Sequence, residues 1–349
     1  MIQAKGYAAQ KANDTLAPWA FERREVGPHD VQIEIQYCGV CHSDLAQINN
    51  EWFPGIFPMV PGHEIVGRVT KVGSHVTNFK IGDRAGVGTM VNSCGKCEHC
   101  EEGLEPYCAE GVSVTYNGID KFGDGTPGYG GYSNTIVTKD SFVVHIPESL
   151  DIAATAPLLC AGITTYSPLK HWKVGKGHKV AVLGLGGLGH MAVKFAVALG
   201  AEVTILSTSP KKEADAKRLG AHHFVVTTDA EQAKQVISAF DFIVDTVAAE
   251  VDFDFYLSLL KVDGILICVG VPPTGIHVNA SFSLIGGRKS IVGSAAGGIA
   301  ETQEMLNFCA EHNIVADIEL IDIKDIHAAY ERMLKGDIRY RFVIDMATL

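Results

Sequence analysis

Four of the nine cysteines in this chain lie close together in the sequence. They are separated by two, two and seven residues: Cys94, Cys97, Cys100 and Cys108. Four thiolates at this spacing are typical of a closed, tetrahedral structural zinc site. A related run of cysteines binds iron–sulfur clusters in bacterial ferredoxins and is the main alternative. Few apolar residues surround the segment, so it needs a metal ion to hold its shape, and we favour zinc.

Three further residues could bind a second metal ion, although they are far apart in the chain. Cys41 and His42 lie in a predicted polar loop after a strand, and His63 follows Pro61-Gly62. Cys160 comes shortly before a glycine motif. Spacing alone leaves two interpretations open, because single cysteines and histidines are often packed core residues. One is a metal site with two cysteines and one histidine, and the other is three unrelated residues.

The glycine motif follows a short apolar run, Val180–Leu183, that carries no charge and predicts a buried parallel strand. A helical pattern over residues 188–199 and a second strand over 203–206 come next. This order is typical of a dinucleotide-binding turn, where glycines let the backbone approach a pyrophosphate at a helix N-terminus. The alternative is a glycine-rich turn that binds nothing. The motif has the form G-x-G-x-x-G: Gly184, Gly186 and Gly189.

The residues after the second strand bear on the choice between NAD and NADP. An NAD site usually has a carboxylate about twenty residues beyond the glycines, but this stretch reads STSPKK over 207–212. Hydroxyl and ammonium groups favour a 2′-phosphate, so the stretch favours NADP. The same stretch can start a helix, with Ser209 as N-cap and Pro210 at the first helical position. The two interpretations are compatible.

The pattern of apolar residues changes along the chain. Residues 31–37 and 65–72 alternate as strands do, in a region rich in β-branched and turn residues. Six strand candidates follow residue 178, and helical patterns separate the first five, which predicts a doubly wound parallel sheet. The strands are expected at 180–183, 203–206, 223–226, 241–246, 265–270 and 289–293, and the helices at 188–199, 210–219, 229–239 and 252–260. Helices are also predicted over 150–165, 299–311 and 325–334, and a last strand over 339–345 that returns to the N-terminal domain.

Composition narrows the class of protein. The chain has 349 residues, of which 47% are hydrophobic and 20% charged, as in an ordinary two-domain enzyme. A formal net charge of −11 disfavours nucleic acid and anionic membranes as partners. Neither a run of about eighteen apolar residues nor a secretory leader is present, so we expect a cytoplasmic protein. Nine cysteines in that compartment indicate metal binding or catalysis rather than disulfides.

Several motifs occur together in one order. They are GVCHSD at 39–44, GHE at 62–64, the four-cysteine segment, PLLCAGIT at 157–164, GLGGLG at 184–189 and STSPKK at 207–212. With NNEWFP near residue 50, they resemble the zinc-dependent medium-chain alcohol dehydrogenases. Within that family the chain is most similar to the cinnamyl alcohol dehydrogenases and the bacterial NADPH-dependent aldehyde reductases. The resemblance spans essentially the whole chain.

This resemblance implies an α/β fold with two domains and two kinds of cofactor. Residues 1–152 would form a mostly-β, GroES-like catalytic domain, with a structural-zinc lobe at about 90–110. Residues 153–294 would form the doubly wound (Rossmann) domain that binds NADP(H). Residues 295–349 would return to complete the catalytic domain. Each chain would bind two zinc ions.

The resemblance also implies a role for each matching residue. Cys41, His63 and Cys160 would hold the catalytic zinc, with Glu64 behind the metal as a transient ligand. Asp44 would orient His63 through its second ring nitrogen, and Ser43 would bind the substrate oxygen and start a proton relay. The four clustered cysteines would hold the structural zinc. Residues matching cofactor-contacting positions are His42, Ser43, Thr164, Gly184, Leu185, Gly186, Gly187, Leu188, Gly189, Ser207, Thr208, Ser209, Lys212, Thr246, Gly270 and Ser294.

The chain departs from the family pattern at one position. Many relatives have a histidine three residues after the relay hydroxyl, whereas this chain has Ala46, so water must complete the relay. Trp52 and Met90 are candidates for the wall of the substrate pocket, or else ordinary core residues. The remaining three cysteines are expected in the core: Cys38, Cys268 and Cys309.

The implied activity is reversible hydride transfer between NADP(H) and primary alcohols or aldehydes, aromatic or medium-chain aliphatic, with zinc as Lewis acid. Two alternatives remain open. One is a zinc-free NADPH-dependent quinone or enone reductase, and the other is a non-enzymatic zinc-thiolate redox or binding module. The resemblance also implies a homodimer joined through the last strand of the nucleotide-binding sheet, near Ser290 to Ser294.

Overall fold

The first part of the chain folds mainly into β-strands, as its alternating sequence predicts. The structure is a computed structural model that describes residues 1–272 and 275–349. These residues form two compact units, Met1–Ile163 with Ala296–Leu349 and Thr164–Ala295. The elements up to residue 171 are β1 (Ile2–Ala8), β2 (Ala17–Arg23), β3 (Asp30–Gly39), α1 (His42–Ile48), β4 (Ile65–Val72), β5 (Arg84–Val87), β6 (Met90–Asn92), α2 (Glu98–Glu101), β7 (Ser113–Val114), β8 (Thr135–Lys139), β9 (Val144–His145), α3 (Ile152–Thr155) and α4 (Ala161–His171).

The second unit contains the parallel sheet that the apolar runs predict. Its elements are β10 (Lys179–Leu183), α5 (Gly189–Ala198), β11 (Glu202–Ser207), α6 (Glu213–Arg218), β12 (His223–Val226), α7 (Ala230–Gln235), β13 (Phe240–Asp245), α8 (Phe253–Leu259), β14 (Leu260–Cys268), α9 (Ser281–Gly287) and β15 (Ser290–Gly293). Within the described residues, six strands pair in the order β12-β11-β10-β13-β14-β15, all parallel. The strand order reverses between β10 and β13, which is where doubly wound sheets bind ligands.

The last part of the chain returns to the first unit. It contains α10 (Ile299–His312), β16 (Ile318–Asp322), α11 (Ile326–Leu334) and β17 (Arg341–Asp345). In the part of the chain that the structure describes, a seven-stranded sheet runs β16-β17-β3-β4-β5-β9, with β8 also paired to β3. Strand β17 pairs antiparallel with β3 and places Val343 opposite Gly39. The predicted last strand is therefore present in the first unit, but it begins at Arg341 rather than at residue 339.

Burial explains why these strands form. Val180, Ala181 and Val182 are fully buried, as expected of a central parallel strand covered on both faces. In the first unit, Ile33 and Ile35 alternate with the polar Gln32 and Glu34 along β3, and both isoleucines belong to the core. The fold class predicted from the sequence, a GroES-like β unit with a doubly wound sheet, is confirmed.

The division between the two units falls later in the chain than the sequence suggests. Residues 152–159 contact strands β3 and β4 of the first unit, so the boundary lies at 163/164 rather than 152/153. The second boundary lies at 295/296, one residue after the expected position. Which unit performs which function stays a prediction at this point.

The structure corrects several predicted elements. Residues 150–165 are not one helix, because α3 is followed by a 3-10 helix over Ala156–Leu159. Cys160 (φ −130°, ψ −72°) is not helical and separates this 3-10 helix from α4. Pro157 lies in the first turn of the 3-10 helix, where its missing N–H does no harm. The predicted helix over 210–219 is a 3-10 turn followed by the shorter α6. The sequence did not indicate the β1–β2 hairpin, β16 or α9.

In residues 1–272 and 275–349, no single helix is long and apolar enough to cross a membrane. The segments Ile152–Leu159 and Ala161–His171 satisfy the length and composition criteria only when taken together, and they are bent by 57°.

Candidate catalytic and metal-binding sites

The first unit brings four potential metal ligands together that are distant in the sequence. One ligand atom each of Cys41, His63, Glu64 and Cys160 lies within 4.8 Å of the others. The first three residues are buried and Cys160 is partly buried. The two sulfur atoms of Cys41 and Cys160 are 3.9 Å apart. The spacing of these residues left open whether they form one site, and the structure places them in a single cluster.

Three different elements position this cluster. Cys41 is the N-cap of α1, directly after β3. His63 and Glu64 come immediately before β4, and Cys160 occupies the break before α4. The predicted polar loop around Cys41 and His42 is wrong, because α1 begins at His42. The helix starts here because the side chain of Asp44 accepts a hydrogen bond from the Cys41 N–H, which satisfies a free donor of the first turn.

Asp44 contacts His63 as well as the start of the helix. Its Oδ1 lies 3.1 Å from Nδ1 of His63, and the side chain is fully buried. Burial alone would lower the pKa of His63, but the Asp44 carboxylate raises it well above its usual value. With Nδ1–H donating to Asp44, Nε2 of His63 is the nitrogen left to bind a metal, which would displace any proton that it carries.

Glu64 forms an ion pair with Arg341, a residue for which the sequence predicted no role. Arg341, on β17, forms a buried ion pair with Oε1 of Glu64 and donates a second hydrogen bond to the carbonyl of Val40. The other oxygen, Oε2, is buried and has no hydrogen-bond partner. Burial raises the pKa of Glu64 to about 8, against the opposing effect of Arg341. Arg341 begins β17 and is followed by three apolar residues, and a charged residue at that position was the only signal in the sequence.

The donor set fits a zinc ion. Two sulfur atoms and one imidazole nitrogen are the ligands of borderline-soft Zn²⁺, and the unpartnered Oε2 of Glu64 is an additional hard donor beside them. The hydrogen bond with Cys160 lowers the pKa of Cys41 well below its usual value, and the same contact raises the pKa of Cys160. Binding of a metal would release the protons that Cys41, Cys160 and His63 still carry, because metal ligands must be deprotonated.

A second cluster lies in the lobe that contains the other cysteines. Ligand atoms of Cys94, Cys97, Cys100 and Cys108 lie within 4.8 Å of one another, and Sγ of Cys94 and Cys100 are 3.8 Å apart. Cys97 is the N-cap of α2, and its sulfur accepts a hydrogen bond from Ala109 N–H. This bond lowers the pKa of Cys97 to about 6. Four sulfur donors with no histidine or carboxylate fit a closed structural site.

The glycine motif lies at the carboxyl end of β10, where the strand order reverses. Gly184 has φ +86°, a conformation that favours glycine. A side chain at Gly189 would come within 2.3 Å of the Gly184 carbonyl oxygen. No atom approaches within 4 Å of the position that a side chain at Gly186 would take. The turn therefore combines tight packing on one side with open backbone at Gly186, as a pyrophosphate site requires.

Four further predicted cofactor residues lie with Gly184 at the same edge of the sheet. Strands β10, β11, β13, β14 and β15 end at or just before Gly184, Ser207, Thr246, Gly270 and Ser294, respectively. Thr246 Oγ1 donates to the carbonyl of Leu183, which ties the end of β13 to the glycine turn. Thr164 lies in α4 and is half-buried, and Leu185, Gly187 and Leu188 complete the turn.

The STSPKK segment forms a helix start, and its role in phosphate binding stays a prediction. Ser209 caps a 3-10 helix that begins at Pro210, so the prediction of a helix start is confirmed. The Ser207 hydroxyl donates to the carbonyl of Ser209, and Thr208 is exposed. Lys212 Nζ donates to the carbonyl of Leu185 at 2.8 Å, which brings the ammonium group to the glycine turn.

Several predicted residues show no contact that tests their role. Ser43 is half-buried, with Oγ 3.4 Å from Cys41 Sγ, and His42 is exposed at the start of α1. Ala46 is buried. Met90 is buried at the start of β6, and Trp52 is half-buried. Their roles stay predictions, while the remaining three cysteines are buried as expected: Cys38, Cys268 and Cys309.

Comparison with known proteins agrees with this architecture. The alcohol dehydrogenase GroES-like domain matches residues 27–148, and the zinc-binding dehydrogenase domain matches residues 187–311. The NADP-dependent alcohol dehydrogenase C 1 of Mycolicibacterium smegmatis is 53% identical over 350 residues, covering 100% of this chain and 99% of the relative.

Solved structures show the same likeness. A cinnamyl alcohol dehydrogenase from Sorghum bicolor has a TM-score of 0.95 and 46% identity, covering 99% of this chain and 98% of that one. The crystal structure of CAD from Helicobacter pylori complexed with NADP(H) has a TM-score of 0.93 and 46% identity, covering 99% of both chains. A GroES-like unit joined to a doubly wound sheet defines a two-domain dehydrogenase. The chain belongs to the zinc-dependent medium-chain alcohol dehydrogenase family, which confirms the resemblance drawn from its motifs.

Proposed function

We propose that this protein is an NADP(H)-dependent zinc alcohol dehydrogenase that interconverts aldehydes and primary alcohols, aromatic or medium-chain aliphatic. The observation that carries the proposal is the buried cluster of Cys41, His63, Glu64 and Cys160. The relatives support it, because one at 53% identity is named an NADP-dependent alcohol dehydrogenase. In this proposal the first unit is catalytic and the second unit binds the cofactor.

The residues of the first unit have distinct tasks in the proposed mechanism. When bound, zinc held by Cys41, His63 and Cys160 would supply Lewis-acid polarisation of the substrate oxygen, and NADP(H) would supply or accept hydride. Ser43 would donate a proton to the substrate oxygen during reduction and accept it during oxidation. Because Ala46 cannot transfer protons, water would carry that proton onward from Ser43.

Glu64 and Arg341 support the same site electrostatically. Two thiolates neutralise a divalent cation, so a permanently charged Glu64 would add an unbalanced negative charge. The buried guanidinium of Arg341, ion-paired with Oε1, offsets that charge. Oε2 remains available as a fourth protein donor beside the cysteines and His63.

The proposal is tested with zinc-loaded protein and a panel of aldehydes, alcohols, quinones and enones, each with NADP(H) and NAD(H). We expect turnover of aldehydes and alcohols, with NADP(H) preferred. Turnover confined to quinones or enones, without dependence on zinc, would instead support a zinc-free reductase. Binding of zinc without any binding of NADPH would support a zinc-thiolate module.

The cofactor preference is expected to depend on Ser207. Ser207→Asp should lower kcat/KM for NADPH at least about tenfold, or about 1.4 kcal/mol, because a carboxylate repels the 2′-phosphate and favours the ribose hydroxyl of NADH. The change should appear mainly in KM, since the phosphate is remote from the transferred hydride. Lys217→Ala, at an exposed lysine of α6 outside this segment, is the control and should leave the cofactor preference unchanged. A Ser207→Asp enzyme that still prefers NADPH would show that this segment is only a helix start.

We also propose that the protein is a homodimer joined along β15. This strand is at the edge of the described six-stranded sheet, and an unpaired edge can bind a second copy. The adjacent helix α9 exposes Phe282 and Ile285, which are 92% and 75% accessible. Ile285→Asp should convert the dimer to monomers in sedimentation equilibrium. The control is Ile237→Asp, at an exposed isoleucine outside this surface, and it should leave the dimer intact; a monomeric wild type would refute the proposal.

We place this protein in a reducing compartment, the cytoplasm. All nine cysteines are free thiols, including those of the two ligand clusters, and reduced thiols are what zinc binding requires.

A further inference from the structure

Tyr132 lies against Asp44, the residue proposed to orient His63. The Tyr132 hydroxyl donates to Oδ2 of Asp44 at 3.1 Å, and the whole side chain is inaccessible to solvent. Burial raises the pKa of Tyr132 well above its usual value, so the hydroxyl keeps its proton and acts as a donor. The hydroxyl bonds to Asp44, not to a proposed zinc ligand, and lies near the Tyr330 hydroxyl. The family resemblance implied no role for Tyr132.

The hydroxyl completes the hydrogen bonding of Asp44. Oδ2 accepts from the Tyr132 hydroxyl and from the Cys41 N–H at 3.0 Å. Oδ1 accepts from the Gly62 N–H at 3.1 Å and faces Nδ1 of His63 at 3.1 Å. A carboxylate offers about four lone-pair sites, so these four donors, with the nearby Tyr116 hydroxyl, satisfy the buried carboxylate of Asp44. Loss of one donor would leave a buried charge undersatisfied and free to change orientation.

The backbone around Tyr132 holds the segment that carries His63. The N–H groups of residues 130–132 donate to the carbonyls of residues 60–62 at 2.7, 2.8 and 2.9 Å. This close pairing requires glycine, because a side chain at Gly130 would come within 2.4 Å of the carbonyl oxygens of Pro61 and Gly62. Tyr132 therefore acts on His63 from two directions: through the backbone of residues 60–62, and through Asp44.

We propose that Tyr132 is a positioning residue of the catalytic zinc site, whose hydroxyl fixes Asp44 and thereby the orientation and tautomer of His63. This inference rests on the proposed zinc-binding function of His63. In this proposal Tyr132 contacts Asp44, and Asp44 in turn contacts the zinc ligand His63. Outer contacts of this kind typically change metal affinity or activity by about 10- to 100-fold.

The test removes only the hydroxyl, with Tyr132→Phe, and follows release of zinc from the loaded enzyme to a chromogenic chelator. Zinc should leave the catalytic site about tenfold faster than in wild type, at the lower end of the range for outer contacts. Zinc in the four-cysteine lobe serves as an internal reference, and its release rate should not change. Tyr132→Leu, equally unable to donate, should give the same result and replaces the phenylalanine variant if that chain does not fold.

The matched control is Tyr330→Phe. Tyr330 is buried, and its hydroxyl lies 3.4 Å from that of Tyr132 rather than on Asp44. Tyr330→Phe removes a buried hydroxyl next to that of Tyr132, so a general packing defect would affect both variants equally. We expect the Tyr330→Phe release rate to stay within about twofold of wild type, because Asp44 keeps all four donors. Equal acceleration in both variants would overturn the proposed role.

A double-mutant cycle tests the order of the contacts. Asp44→Asn alone should accelerate zinc release by about 10- to 100-fold, and adding Tyr132→Phe should change the rate no further. Independent, multiplying effects would overturn the inference, as would a Tyr132→Phe enzyme that releases zinc at the wild-type rate. A wild-type protein that binds no zinc through Cys41, His63 and Cys160 would refute the proposed function itself, and metal analysis of the wild type distinguishes that case.

Discussion

Cys41→Ser is expected to lower kcat/KM for aldehyde reduction at least about 1,000-fold, or about 4 kcal/mol in transition-state free energy. Cys41 is the N-cap of α1, and its sulfur lies 3.9 Å from that of Cys160. A serine hydroxyl stays protonated at neutral pH and is a poor zinc ligand, so the catalytic zinc loses one of its two thiolates. The four-cysteine lobe is separate from this cluster, so its zinc should remain.

The measurement combines kinetics with metal analysis of each purified variant. Wild type should contain two zinc ions per chain and Cys41→Ser one. Cys38→Ser is the matched control, because Cys38 is also a buried cysteine near the end of β3 but lies outside the ligand cluster. It should keep both zinc ions and most of its activity. Near-normal turnover by Cys41→Ser would contradict the assigned site.

Cys97→Ser should lower the stability of the folded protein rather than its catalytic rate. The lobe from 94 to 108 contains only a four-residue helix and a three-residue 3-10 helix, and Leu104 and Tyr107 are partly exposed. Little apolar packing would therefore hold it without metal. We expect the free energy of unfolding to fall by at least about 2 kcal/mol, which lowers the melting temperature by about 4–8 °C in a domain of this size.

Calorimetry and metal analysis check this expectation. The variant should lose the lobe zinc, aggregate more readily on heating, and keep the catalytic zinc and the kcat of the folded fraction. His99→Ala, within the same short helix but outside the cysteine cluster, is the control and should keep both zinc ions. A Cys97→Ser protein with unchanged melting temperature would show that packing alone closes the lobe.

The sequence predicted the parallel sheet well for a physical reason. Central parallel strands are covered on both faces. The apolar runs at 180–183 in β10 and 242–244 in β13 can therefore be detected in the sequence. Strands such as β16, which has no fully buried residue, carry no such signal. The prediction of a single helix over 150–165 was wrong because apolar composition does not reveal that Cys160 is not helical.

The ligand cluster could be grouped only through the family resemblance. Cys41 and Cys160 are separated by 119 residues, and nothing in their local sequence pairs them. Arg341 and Tyr132 were missed for the same reason: each acts on the site from a distant element, Arg341 across 277 residues and Tyr132 across 88. Contacts of this kind depend on how the strands are arranged, which local pattern does not encode.

The most direct test of the central claim is removal and restoration of zinc. We would measure kcat/KM for NADPH-dependent reduction of an aromatic aldehyde with native protein, with metal-free protein, and after zinc is added back. We expect activity to disappear with the metal and to return when zinc again occupies the cluster of Cys41, His63 and Cys160. Full activity in the metal-free protein, or no aldehyde reduction at any zinc content, would contradict it.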